Sequence, residues 1–192
     1  MRSLNKKQRG WTIVELGIVL AIIGLLGAAG LGVWLGFFGT ANARIQSDYE
    51  LSCYQKLKTQ VGANPNYTSW SAASLVDGNI CPEDMVNAAG TGLVNVWGGA
   101  VTVAMLGTGF EDNISFVTDS VEYESCSEFA SSLGAVARGV GIDAGGTGTY
   151  TWVKDRAGFS GTIINEVQQA ALATACADSN NDNVVDVITY YR

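Results

Sequence analysis

A single carboxylate sits at the mouth of a long apolar run. Between Gly10 and Arg44 the chain reads GWTIVELGIVLAIIGLLGAAGLGVWLGFFGTANA, and Glu15 is its only formal charge. Leu16 to Ala43 supplies 28 uncharged residues, more than the roughly 20 that a helix needs to cross a bilayer. The sequence therefore predicts a segment that meets a membrane. A carboxylate beside hydrocarbon is expensive unless something neutralises it, and that expense marks Glu15 as a residue with a task.

Charge is divided unevenly about this run. Four of the 11 basic residues (Arg2, Lys6, Lys7, Arg9) precede Gly10, so the remaining 7 face all 18 acidic residues and the body carries -11. A surface that acidic argues against a nucleic-acid partner. Basic residues before the span and acidic ones after it place the short N-terminus in the cytoplasm and the rest outside. What remains suits one soluble domain of about 130 to 150 residues. Its four cysteines, Cys53, Cys81, Cys126 and Cys176, allow three pairings, and in an exported chain an even count favours bridges over free thiols. There is no histidine and no Cys-x-x-Cys spacing, which argues against zinc. Without histidine the commonest general base is gone, together with the Ser-His and Cys-His arrangements, so no enzyme is predicted.

Two processing sites compete near the N-terminus. Ala41-Asn42-Ala43 has the Ala-x-Ala form of a signal-peptide site that would release a domain beginning at Arg44, but the run Leu16 to Phe38 is 23 residues long, against roughly 7 to 15 for such signals. The other site lies between Gly10 and Trp11. Arg9-Gly10, then Trp11-Thr12-Ile13-Val14-Glu15-Leu16, then a long apolar helix resembles the prepilin motif of type IV pilins. The resemblance implies a leader, residues 1–10, cut after Gly10 by a prepilin peptidase on the cytoplasmic face. It also implies a retained helix that becomes a filament core, in which Glu15 pairs with the new α-amino group of a neighbouring copy's Trp11. The bulky non-Phe residue Trp11 and the longer leader point to the type IVb or conjugative-type pilins. Asn95-Val96-Trp97-Gly98-Gly99-Ala100-Val101 independently resembles the first hairpin of type IVb pilins.

The remaining elements follow from local pattern. Helix is predicted from about 12 to 61: the apolar half, residues 11–43, gives way to an amphipathic half in which Ile45, Tyr49, Cys53, Leu57 and Val61 recur every four residues. Gly62 and Pro65 end it. Seven glycines from Gly17 to Gly39 allow close helix packing in lipid or protein. A helical turn is expected at 71–76 and a helix start at Pro82. Strands are expected at 93–106 as a hairpin about Gly98-Gly99, at 114–121, at 150–153 and at 184–191. Ser125-x-x-Glu128 has the capping-box spacing ahead of Phe129 to Ala137, which predicts a helix whose first turn carries Cys126; 135–148 reads as irregular, and 163–177 as a helix. Gly139-x-Gly141-x-x-Ala144 fits a loose dinucleotide pattern but follows a helix and opens none, so it is set aside.

Together these readings give an α+β fold: a long N-terminal helix on an antiparallel sheet, with a disulfide-bonded C-terminal region and a globular part, residues 44–192, outside the cytoplasm. The type IVb resemblance implies the bridge Cys126–Cys176, which leaves Cys53–Cys81 to tie the long helix to the loop that follows. One further pattern stands apart. Asp178, Asn180, Asp182 and Asp186 fall at offsets 1, 3, 5 and 9 of a calcium loop, but Asn183 stands where glycine is expected and Thr189 replaces the bidentate glutamate; a polar turn entering the last strand is the preferred reading, and no cofactor is required. The expected function is that of a pilus subunit that polymerises with itself, served by the peptidase and by assembly machinery in the inner membrane, for adhesion, aggregation or conjugative mating. Minor pilins and type II secretion pseudopilins share these features and are the alternative. A membrane-anchored domain that binds or hydrolyses a ligand would be a third reading, for which no site is found.

Overall fold

The computed structural model describes residues 13–63, 65–177 and 183–192; the side chains of 27–38 are not among those described. The chain divides into two compact units between Phe38 and Gly39. Helix α1 spans Ile13–Val61 and contributes to both. It stops where Gly62 adopts φ +78° and donates its amide to Lys58 O at 3.1 Å, a left-handed cap that glycine takes without penalty.

In the first unit every described large apolar side chain except half-buried Val19 is exposed, from Ile13 at 89% to Leu26 at 65%. Among the described residues no helix is long and apolar enough to cross a membrane.

The second unit is built on a six-stranded antiparallel sheet. After α1 come α2 (Ala72–Asp77), a 3-10 turn (Glu83–Met85), β1 (Leu93–Val94), β2 (Ala100–Met105), β3 (Ile114–Glu122), α3 (Tyr123–Gly134), β4 (Gly139–Asp143), β5 (Thr151–Asp155), α4 (Gln169–Ala175) and β6 (Val184–Tyr191). The strand order is β1-β2-β3-β6-β4-β5. One face carries Val101, Val103, Phe116, Val140 and Val187, which join Leu57 of α1 and Phe129 and Leu133 of α3 in the main core. The other face holds a smaller cluster around Leu106, Ile188 and Tyr190, flanked by Phe110, Tyr150 and Trp152.

Four local expectations are corrected. The packed face of α1 is Ala43, Gln46, Ser47, Glu50, Cys53, Tyr54 and Leu57, whereas Ile45 is 41% exposed; the true stripe is rotated from the apolar one because it includes polar side chains that find partners in the sheet. α3 begins at Tyr123, directly out of β3. Ser125 and Glu128 are thus inside the helix and cap nothing: Ser125 Oγ donates to Gly39 O at 3.1 Å and Glu128 pairs with Arg44 at 3.1 Å. The segment expected to be irregular contains β4, buried throughout and paired on both sides, with β6 and with β5. Finally, only Gln169–Ala175 of the predicted C-terminal helix is helical. Ahead of it Ile164 exchanges both backbone hydrogen bonds with Asp155, and Gln168 N donates to Val153 O at 2.9 Å, so this stretch extends along the edge strand instead.

Candidate functional site

Among the described residues the first unit carries one charged side chain. Glu15 lies in the first turn of α1, exposed, amid the exposed side chains Ile13, Val14, Leu16 and Ile18. A helix apolar all round is stable only when other apolar groups surround it. Its N-terminal placement favours the carboxylate through the helix dipole. Gly10 and Trp11, the two residues expected to flank the cut, lie outside the described residues.

Within the second unit, residues 39–61 of α1 are fastened along their length by polar contacts. Ser125 holds Gly39, as above. Gln46 Oε1 accepts the Val96 amide at 3.2 Å from the β1–β2 turn, a turn organised by Asn95, whose Oδ1 takes the amides of Trp97 and Gly99 at 2.9 Å each. Glu50 is fully buried and receives the hydroxyls of Thr118, Thr189 and Tyr191. Tyr54 stacks on Tyr191 at 4.4 Å and donates to Arg192 O at 2.5 Å. Disulfides complete the frame: Cys53 joins Cys81 and Cys126 joins Cys176, with Cα separations of 4.3 and 5.7 Å. The first ties α1 to the loop after α2, and the second closes α3 onto the end of α4.

The calcium pattern does not gather a site among the described residues. Asp178, Asn180 and Asp182 lie outside them. Asp186 Oδ1 accepts the Ser120 amide at 2.9 Å, while Thr189, three residues along β6, faces Glu50 on the opposite side of the sheet, as strand alternation requires. No group of three or more ligating side chains that could hold a metal ion occurs among the described residues.

Residues 46–189 match the family described as PilS N terminal, well over half of the chain. The type IV major pilin protein PilE1 of Neisseria gonorrhoeae is 30% identical over 111 residues, which cover 58% of this chain and 66% of that protein, just under two thirds of its length. The chain belongs to the PilS family of type IV pilins. The fold agrees: a type IVb pilin from Salmonella typhi superposes with a TM-score of 0.50 at 16% identity, covering 79% of this chain and 96% of that one. TcpA, a type IV pilin of the Vibrio cholerae El Tor biotype, gives a TM-score of 0.49 at 13% identity, over 79% and 99%.

This pilin is a structural subunit of an extracellular pilus and not an enzyme. Its buried polar residues therefore serve architecture. Glu50 is the one that reading along the sequence misses. On the helix it sits among Arg44, Asp48 and Lys56 as one more polar residue, and its partners lie 68, 139 and 141 residues away. The available signal is the odd face of β6, where Thr189 and Tyr191 place hydroxyls at alternate positions of an otherwise aliphatic inner row.

Proposed function

We propose that this pilin is made as a precursor with a leader of residues 1–10, is cut after Gly10 by a prepilin peptidase, and polymerises through α1 into a filament. Before assembly the run Leu16–Phe38 holds the subunit in the inner membrane, with the N-terminus cytoplasmic and the globular part periplasmic. In the filament that run is covered by the same run of neighbouring copies. The observation that carries this reading is the exposed apolar surface from Ile13 to Leu26 with Glu15 as its one charge. Copies of itself supply both an apolar cover and a complementary cation, the new α-amino group of Trp11. Neutralising both charges in one pair removes a cost that neither the bilayer nor apolar neighbours would otherwise relieve, and it fixes the axial register of one subunit on the next. The subunit is assigned as a major one, a reading supported by its relative PilE1, and its filament serves adhesion, aggregation or conjugative mating.

Glu15→Lys tests the mechanism. The variant is expected to be exported, to be processed to a chain beginning at Trp11 and to fold with both disulfides, yet to be missing from sheared filaments. Normal piliation by that variant, or a mature chain that begins elsewhere than Trp11, overturns the proposal.

A further inference from the structure

We propose that Glu50 is a proton-binding site built into the joint between α1 and the sheet, and that the bound proton locks the helix onto β3 and β6. The residue sits mid-way along the packed face of α1 and is 0% exposed. Its carboxyl receives Thr118 Oγ1 from β3 at 3.5 Å, Tyr191 OH from β6 at 2.8 Å, and Thr189 Oγ1, also from β6. All three partners are neutral hydroxyls. The titratable groups that face it are Tyr191 from β6 and, behind that ring, Tyr54 from α1 itself; β3 offers only Thr118. Among the described residues no basic side chain acts on it. An ionised carboxylate there has hydrogen bonds but no counter-charge, and a buried charge without one is unfavourable even when its lone pairs are occupied. The protonated form removes the charge and still bonds, by donating to one hydroxyl while accepting from the others.

Burial accordingly pushes the Glu50 carboxyl up to about 7, and the bonds from Thr189, Tyr191 and Thr118 offset only part of that effect. The folded protein thus holds this proton more tightly than the unfolded chain, where a glutamate titrates at about 4.3. The resulting stabilisation is complete below the unfolded value. It is lost as pH rises through the folded one, because the unfolded chain has by then released its proton freely. A filament subunit with such a joint grips its helix firmly in mildly acidic surroundings and loosens it above neutrality.

The test uses the full chain in mild detergent with both disulfides intact. Unfolding by urea is followed from pH 5 to 8 for the wild type and for Glu50→Gln, which keeps the shape but cannot ionise. Relative to the variant, the wild-type unfolding constant should rise roughly seventyfold across that interval. Parallel pH profiles for the two proteins overturn the proposal. Should Glu50→Gln fail to fold, the wild type decides alone: the Glu50 carboxyl carbon, followed by NMR, should titrate near 7, and a midpoint in the ordinary glutamate range overturns the site. Amide exchange separates the lock from mere proton binding. Between pH 6 and 8 residues 43–57 should lose protection beyond the intrinsic acceleration of exchange, and unchanged protection there overturns the lock.

Discussion

Adding one methyl group at Gly139 is expected to be among the costliest single changes in this pilin. Gly139 lies in β4 opposite Tyr190 of β6, and a Cβ placed on it would fall 1.7 Å from Tyr190 Cε1 and 2.4 Å from Cζ. Neither side can yield cheaply. The Tyr190 ring is fully buried, its hydroxyl donates to Asp155 and accepts the Ala157 amide at 2.9 Å, and Trp152 packs edge-on to it at 5.7 Å. The alternative, displacing β4, breaks the ladder to β6, including Arg138 N to Tyr190 O at 2.9 Å. If the ring swings out, two hydrogen bonds are lost at about 1 to 1.5 kcal/mol each, and overpacking adds about 1 to 3 kcal/mol. Gly139→Ala should therefore lower stability by about 3 to 6 kcal/mol, read as a fall in the urea midpoint of the disulfide-intact protein at unchanged slope. Tyr190→Ala supplies the control. Once the ring is gone the methyl has room, so the double variant should be far less destabilised than the two single changes added together. Strict additivity, or a loss below about 1 kcal/mol for Gly139→Ala alone, would refute the clash.

Two further outcomes rest on other features. Lys154 is buried and its ammonium donates to the carbonyls of Gly134 and Ala137, at 2.6 and 2.7 Å, where α3 ends; Lys154→Met keeps the stem but orphans both oxygens and should cost about 2 to 3 kcal/mol by urea denaturation, with wild-type stability as the contrary result. Replacing Cys126 and Cys176 together by serine reopens a bridge across 50 residues and should cost about 3 to 4 kcal/mol, while an unaltered melting temperature would deny the bridge any part in stability.

What could be read from the sequence depended on how far away a residue's partners lie. β3 and β6 were legible because their inner and outer residues alternate in character, and α1 because its apolar run is long. β4 hid because a strand enclosed on both faces, with two glycines admitting Tyr190 and Ile188, shows no alternation. The extended stretch before α4 looked helical because its local propensity is helical; pairing with Asp155, settled by the edge of a sheet formed elsewhere, prevailed. Ser125 and Glu128 had the spacing of a cap, but their contacts are 86 and 84 residues back on α1. Of the candidate site, Glu15 stood out by contrast with its neighbours. Glu50 did not, because its burial is decided by Thr118, Thr189 and Tyr191, which no local pattern connects to it.

β6 pairs with β3 on one side and β4 on the other, so the sheet is two fragments, β1-β2-β3 and β4-β5, until the last strand in chain order slides between them. A chain synthesised from its amino end is nearly complete before those halves can be joined, and until then Glu50 lacks two of its three hydroxyl partners. Closure is then a late event that requires pairing across long stretches of chain, which slows folding. Until the eight residues Val184–Tyr191 are in place, β3 and β4 each keep an open edge that another extended chain could pair with.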